Sequence, residues 1–317
     1  MPAGQRHPHP MTAKAGFKRM LAHVFHMGQR LGVDVLPRHF YSEIPDIRKL
    51  RATQHWRKPF SMTGVTGADL PPQRAFLETT MRAAGPAATD PQLHQAACAR
   101  NGEPGFGRIE SQFLYAFVRA HRPQRIVQVG CGVSTAVCLA AIKDAGYAGR
   151  VTCIEPYPTK FLLDAHRDGE IELVRAAVES LDYGFLQQLR DGDLFFVDST
   201  HTLGPAGEVT RIILEMLPRL SDGVYAHFHD IAFPYDYQGD ILTSALFCWH
   251  ETTLLHGFLT FNDRFRILAS LSMLHFGEQS ALRAMFPDYD PRQNIDGLTL
   301  CEGDYPSSIY LRCARPA

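Results

Sequence analysis

The chain has 317 residues, 45% hydrophobic and 21% charged, ordinary proportions for a globular protein with a good core. Its net charge of −1 gives no global case for nucleic acid. No run reaches the roughly 18 apolar residues of a membrane-spanning helix.

The charge is uneven, since residues 1–60 hold eleven Lys and Arg against three Asp and Glu. That basic arm reads as a solvated lead-in rather than a binding surface. The seven cysteines are odd in number, include no Cys-x-x-Cys, and several sit in apolar runs. They read as reduced thiols, which predicts a cytoplasmic protein.

Residues 1–13, with Pro and His at 7–10, read as a disordered tail. Phe17, Met20, Leu21, Val24, Phe25 and Leu31 recur at helical spacing and predict an amphipathic helix over 15–31. The proline-bounded, aromatic stretch Val35–Pro45 reads as a loop. Its His39 and Tyr41 either line a substrate pocket or pack on the core. Helices are expected at 71–84, 90–100 and 109–120, the last with Phe113, Leu114, Phe117 and Val118 on one face. We take 14–107 as an N-terminal helical segment, a lid or a homodimer surface, and 108–317 as the main domain.

From Pro123 onward the elements alternate. Strands are predicted at 126–129, 151–154, 171–175, 194–197, 224–228, 265–271 and 307–313. Helices are predicted at 135–145, 160–166, 183–190, 206–217 and 240–257, and 273–305 reads as irregular. Such alternation gives an α/β fold, a Rossmann-like, mostly parallel sheet with helices on both faces. Right-handed crossovers place the loops that follow the strands on one edge.

At that edge the first strand runs into Gly130-Cys131-Gly132-Val133-Ser134-Thr135. Gly130 and Gly132 allow close approach to the main chain, and Ser134 or Thr135 is expected to cap the next helix. The second strand ends in Glu155, placed to accept both hydroxyls of a ribose. The pair fits a nucleoside-containing cofactor, NAD or S-adenosylmethionine. A dinucleotide fingerprint wants a third glycine where Thr135 stands, which favours S-adenosylmethionine.

The fourth strand delivers Asp198 and His201, and the fifth delivers His227, His229 and Asp230, with His227 and His229 on one strand face. Histidine titrates near neutrality and suits a general base, so the cluster reads as catalytic. Asp198, His229 and Asp230 also form a candidate site for Mg²⁺ or another divalent metal. His227 is grouped with His39 and Tyr41 as a substrate contact.

These residues sit in motifs that resemble class I S-adenosylmethionine-dependent methyltransferases, over about residues 109–272. The motifs are Val129–Thr135, Cys153–Pro158, Phe196–His201 and His227–Tyr237. The last of these, with Leu36–Pro45, is similar to bacterial small-molecule O-methyltransferases of the sugar and natural-product type. The resemblance implies a seven-stranded sheet with its last strand antiparallel, and a small-molecule acceptor. It implies cofactor contacts at Gly130, Cys131, Gly132, Ser134, Thr135, Glu155 and Asp198, with Val178 and Glu179 flanking the adenine. It further implies Asp198 and Asp230 as metal ligands and His201 as base. Two departures stand out: His229 replaces an acid, and Gln128 replaces the acid usual before the glycine turn. An NAD-dependent oxidoreductase, a non-catalytic nucleoside-binding module and a metal-dependent hydrolase are the alternatives.

Overall fold

Unbroken apolar strands are satisfied only by burial on both faces. In the strand Leu194–Val197 all four side chains are buried. Phe195 and Val197 face one core, and Leu194 and Phe196 face the other. Fully burying each of these phenylalanines contributes about 2–3 kcal/mol. A computed structural model describes residues 13–53, 55–239, 245–294, 297–301 and 303–314. Except for Ala13, the tail expected over 1–13 lies outside these described residues.

The chain divides into two compact units, residues 1–48 and 49–317. In the first, helix α1 (Ala13–Arg30) ends where Leu31 N and Val33 N both donate to the Gly28 carbonyl. Its residues Phe17, Met20, Val24 and Met27, with Leu31 just past its end, are exposed apolar side chains. Helix α2 (Ile47–Thr53) spans the division.

The second unit opens with α3 (Leu70–Ala84), α4 (Gln92–Asn101) and α5 (Arg108–His121). Strand β1 (Arg125–Val129), α6 (Val133–Ala145), β2 (Arg150–Ile154), α7 (Lys160–Arg167), β3 (Glu172–Val174), β4 (Leu194–Val197), α8 (Glu208–Arg211) and β5 (Tyr225–Phe228) follow. Then come α9 (Glu251–Leu259), β6 (Phe265–Ser270), α10 (Leu271–Gly277), α11 (Gln279–Met285), the hairpin β7 (Arg292–Asn294) and β8 (Gly297–Thr299), and β9 (Ile309–Cys313). The main sheet has the order β3-β2-β1-β4-β5-β9-β6, with β1 to β5 parallel and β9 antiparallel to both neighbours. This is the seven-stranded sheet expected from the sequence.

Three expected helices differ. Over 183–190 the Asp182 carboxylate accepts from Gly184 N at 2.7 Å, and that local turn diverts the backbone into a tight turn at Leu186–Gln188. The helix expected over 206–217 is α8 continued by a wide turn over Ile212–Met216 and a tight one at Leu217–Arg219, which carries Pro218. Among the described residues, the helix expected over 240–257 starts at Glu251, because His250 N and Glu251 N are held by the His201 carbonyl at 3.0 and 3.3 Å. Residues 240–244 lie outside the described residues. The stretch 273–305, expected to be irregular, holds most of α10, α11 and the β7–β8 hairpin.

His275 on α10 is wholly buried, with Nδ1 2.8 Å from the Tyr289 hydroxyl and Nε2 3.1 Å from the Leu298 carbonyl. Burial, partly offset by that carbonyl, holds its pKa down at about 4. Below pH 6.5 the unfolded chain therefore binds a proton that the folded protein refuses. Stability is full above pH 6.5 and falls as pH drops toward 4. We expect a loss of about 2 kcal/mol between pH 6.5 and 5 from His275 alone. Urea unfolding across that range checks it: His275→Asn should flatten the slope, and an unchanged slope would reject the account.

Candidate functional site

The strand order reverses direction between β1 and β4, which opens a crevice at their carboxyl ends. Asp198 N donates to the Val129 carbonyl at 2.8 Å, so the β4 loop starts against the glycine turn. Gly130 has φ +76°, and a Cβ there would lie 1.9 Å from the Asp198 carbonyl oxygen. No side chain fits at this point of contact.

Helix α6 begins at Val133 with Gly132 as its cap residue, not Ser134 or Thr135. Thr135 Oγ1 instead accepts from Gly132 N at 3.2 Å. Gln128 Nε2 donates to Ser134 Oγ at 3.4 Å, while Gln128 Oε1 is buried without a partner among the described residues. Glu155 reaches back to the turn, accepting from Cys131 N at 3.3 Å and from Tyr157 N at 2.9 Å. Val178 is buried, and Glu179 carries a buried Oε2 without a partner among the described residues. Such orphaned acceptors match a ligand rich in donors, and S-adenosylmethionine brings hydroxyl, amino and ammonium groups.

The residues after β4 and β5 meet as the sequence suggested. His201 Nε2 lies 3.6 Å from Asp198 Oδ1 and 3.4 Å from Asp230 Oδ2. His229 Nδ1 lies 3.2 Å from Asp198 Oδ1 and 3.5 Å from Asp230 Oδ2. His201 and Asp230 hold left-handed backbones, φ +59° and +56°, a strained conformation for residues with a Cβ. Ser307 Oγ donates to Asp230 Oδ1 at 3.0 Å. The Trp249 ring packs 4.6 Å from His201, and Phe106 packs 5.0 Å from His229.

Two carboxylates that sequence reasoning missed close the cluster from outside. His201 Nδ1 donates to Glu251 Oε2 at 2.6 Å, and His229 Nε2 donates to Glu110 Oε2 at 2.9 Å. Both acids are buried, at 1% and 2% exposure. Ser199 Oγ lies 3.1 Å from each Glu251 oxygen. Glu110 Oε1 accepts from Ser307 N, Ser307 Oγ and Ser308 Oγ at 3.0, 3.3 and 2.6 Å.

Electrostatics follow this arrangement. Burial works against charge on both imidazoles, but Glu251, Asp230 and Asp198 raise the pKa of His201. Asp230, Glu110 and Asp198 raise that of His229 further still. Burial also works against the Asp198 anion, yet His229 and then His201 hold its carboxyl down at about 2. Burial raises the pKa of Glu251 against the pull of His201 and Ser199. A narrow cleft lined by Asp230, Asp236, Tyr237, Trp249, Glu251 and Thr252 adjoins the cluster.

His227 departs from its expected role as a substrate contact. Its ring is fully buried, stacks on Phe196 at 4.2 Å and 7°, and has no hydrogen-bond partner on either nitrogen among the described residues. Burial pushes its pKa well down, so it is a neutral core side chain. His39 and Tyr41 belong to the first unit, on an exposed loop where Tyr41 N donates to His39 Nδ1 at 3.0 Å.

Residues 127–231 match the methyltransferase domain family. The match runs from within β1 to the residue after Asp230 and so takes in the glycine turn, Glu155 and the whole His/Asp cluster. The matched stretch is about a third of the chain. An uncharacterized protein of Archaeoglobus fulgidus is 28% identical over 167 residues, 49% of this chain and 73% of its own. The SAH-bound methyltransferase PaMTH1 of Podospora anserina aligns over 89% of this chain and 99% of its own, at 16% identity and a TM-score of 0.37. The O-methyltransferase TomG of Streptomyces achromogenes aligns over 77% and 99%, at 12% identity and 0.42. At these scores the superpositions add nothing to the sheet order described above.

Proposed function

We propose that the chain is an S-adenosylmethionine-dependent methyltransferase that methylates a hydroxyl of a small molecule. One observation carries the reading: Gly130, in a turn of cofactor-binding type, packs directly on Asp198, whose carboxylate belongs to the His/Asp cluster. A methyl donor and a proton acceptor would thus sit side by side. The match over residues 127–231 supports the reaction class.

The sulfonium of the cofactor is already a strong methyl donor, so the protein's tasks are alignment and removal of the acceptor's proton. Main chain at Gly130, Cys131 and Gly132, with Ser134 and Thr135 behind it, would hold the methionine end. Glu155 would hold the ribose, and Val178 and Glu179 the adenine. Asp198 joins this cradle to the cluster. His201 is our proton acceptor in the ion-free protein, because Glu251 fixes its Nδ1 and leaves Nε2 facing Asp198 and Asp230. A divalent ion at Asp198, His229 and Asp230 would supply positive charge that makes the hydroxyl more acidic. The acceptor class, a sugar or natural product, rests on the resemblance of residues 36–45 and 227–237. The seven free thiols support a cytoplasmic setting.

The test is calorimetric titration of the purified chain with S-adenosylmethionine, S-adenosylhomocysteine and NAD in turn. We expect heat from the first two and none from NAD. NAD binding alone would instead support the oxidoreductase, and silence with all three would favour the non-catalytic module.

A further inference from the structure

The cluster is directional. Each imidazole gives its outer nitrogen to a buried carboxylate: His201 Nδ1 to Glu251 and His229 Nε2 to Glu110. Each therefore turns its other nitrogen inward. The inward atoms, His201 Nε2, Asp198 Oδ1, His229 Nδ1 and Asp230 Oδ2, form a closed ring with edges of 3.6, 3.2, 3.5 and 3.4 Å. The donors of Asp198, His201 and His229 all lie within 4.8 Å of one another. Ligand atoms about 2.1–2.4 Å from a shared ion, at tetrahedral or right angles, stand about 3.0–3.9 Å apart. The four edges of the observed ring fall within that spacing. A carboxylate behind each imidazole is also what orients metal-bound histidines and makes them better donors.

We propose that Asp198, His201, His229 and Asp230 bind one divalent transition-metal ion, of the zinc, manganese, iron or cobalt class, with Glu110 and Glu251 as orienting carboxylates. Two imidazole nitrogens in four donors select against Mg²⁺, which demands oxygen ligands in near-octahedral geometry. The set also differs from the three-acid pattern of the sugar O-methyltransferases that the sequence resembles, because His229 takes the place of an acid. The inference rests on the methyltransferase reading only for what the ion is used for, not for whether it binds. His201 Nε2 cannot hold an ion and accept a proton at once. In the loaded protein it is a ligand, and its role as proton acceptor belongs to the ion-free protein.

The experiment uses the full chain, stripped with a chelator and titrated separately with Zn²⁺, Mn²⁺, Co²⁺ and Mg²⁺ in the calorimeter. The Co²⁺ form is also read by visible absorption. We expect a single site per chain, with Mn²⁺, Co²⁺ and Zn²⁺ bound at least about 100-fold tighter than Mg²⁺. Visible Co²⁺ bands should be lost in His229→Ala and in Asp198→Ala. Glu251→Gln keeps all four donors and should weaken the ion by about 10–100-fold. Buried alanines can unfold a chain, so the spectrum and ion preference of the unaltered protein decide the matter on their own.

No retained ion, or Mg²⁺ held as well as Mn²⁺, would overturn the proposal. So would a Co²⁺ spectrum unchanged in folded His229→Ala, which would reveal an adventitious ion only. S-adenosylmethionine titrated into the same preparations separates the two readings. Cofactor without ion sinks this one alone, and ion without cofactor sinks the other.

Discussion

Replacing His201 with alanine should abolish methyl transfer while leaving the cofactor bound. The ring is 6% exposed, is fixed at one nitrogen by Glu251, and presents the other to two aspartates beside the glycine turn. As proton acceptor it should supply about 10²–10⁴-fold in rate. As an ion ligand its loss should be no milder. The cofactor contacts proposed above do not include its side chain, so S-adenosylmethionine affinity should stay within about threefold. Transfer of a radiolabelled methyl group to a panel of phenols and sugars, beside titration of the cofactor, checks both halves. Full turnover in a folded variant would remove His201 from the mechanism.

Glu110→Ala should cost about 3–5 kcal/mol of stability. Its carboxylate is 2% exposed and is hydrogen-bonded to His229, Ser307 and Ser308. Truncation leaves a raised-pKa imidazole and several buried donors unpaired in a new cavity. Glu110→Gln keeps the volume and an acceptor for the serines, and should cost about 1–2 kcal/mol. Denaturant unfolding ranks the two. Equal losses would mean that shape, rather than hydrogen bonding to charge, is what the site needs.

The sheet was legible because its strands are apolar on both faces, and a run such as Leu194–Val197 has no comfortable surface position. The glycine turn and the four ionisable residues after β4 and β5 were legible because strand ends converge wherever parallel strands are neighbours. The supporting acids were not. Glu251 sits at the start of α9 and looks in sequence like any helix-initiating charge. Glu110 did leave a signal, since its spacing to Phe113, Leu114 and Phe117 puts an acid on the apolar face of α5. Short-range side-chain bonding hid the true course of 183–190. His227 misled because alternation tells which residues share a face and not whether that face meets a cavity or a packed core.

Glu110 also bears on how the protein is made. Its serine partners follow it by 197 and 198 positions and directly precede β9, the strand that inserts between β5 and β6. A ribosome releases α5 long before it releases Ser307. Until then the outer carboxylate of His229 lacks its anchors, even with five parallel strands already available to pair. Such non-local closure is slow. Closure of the His/Asp cluster should thus be among the last events in the folding of the nascent chain.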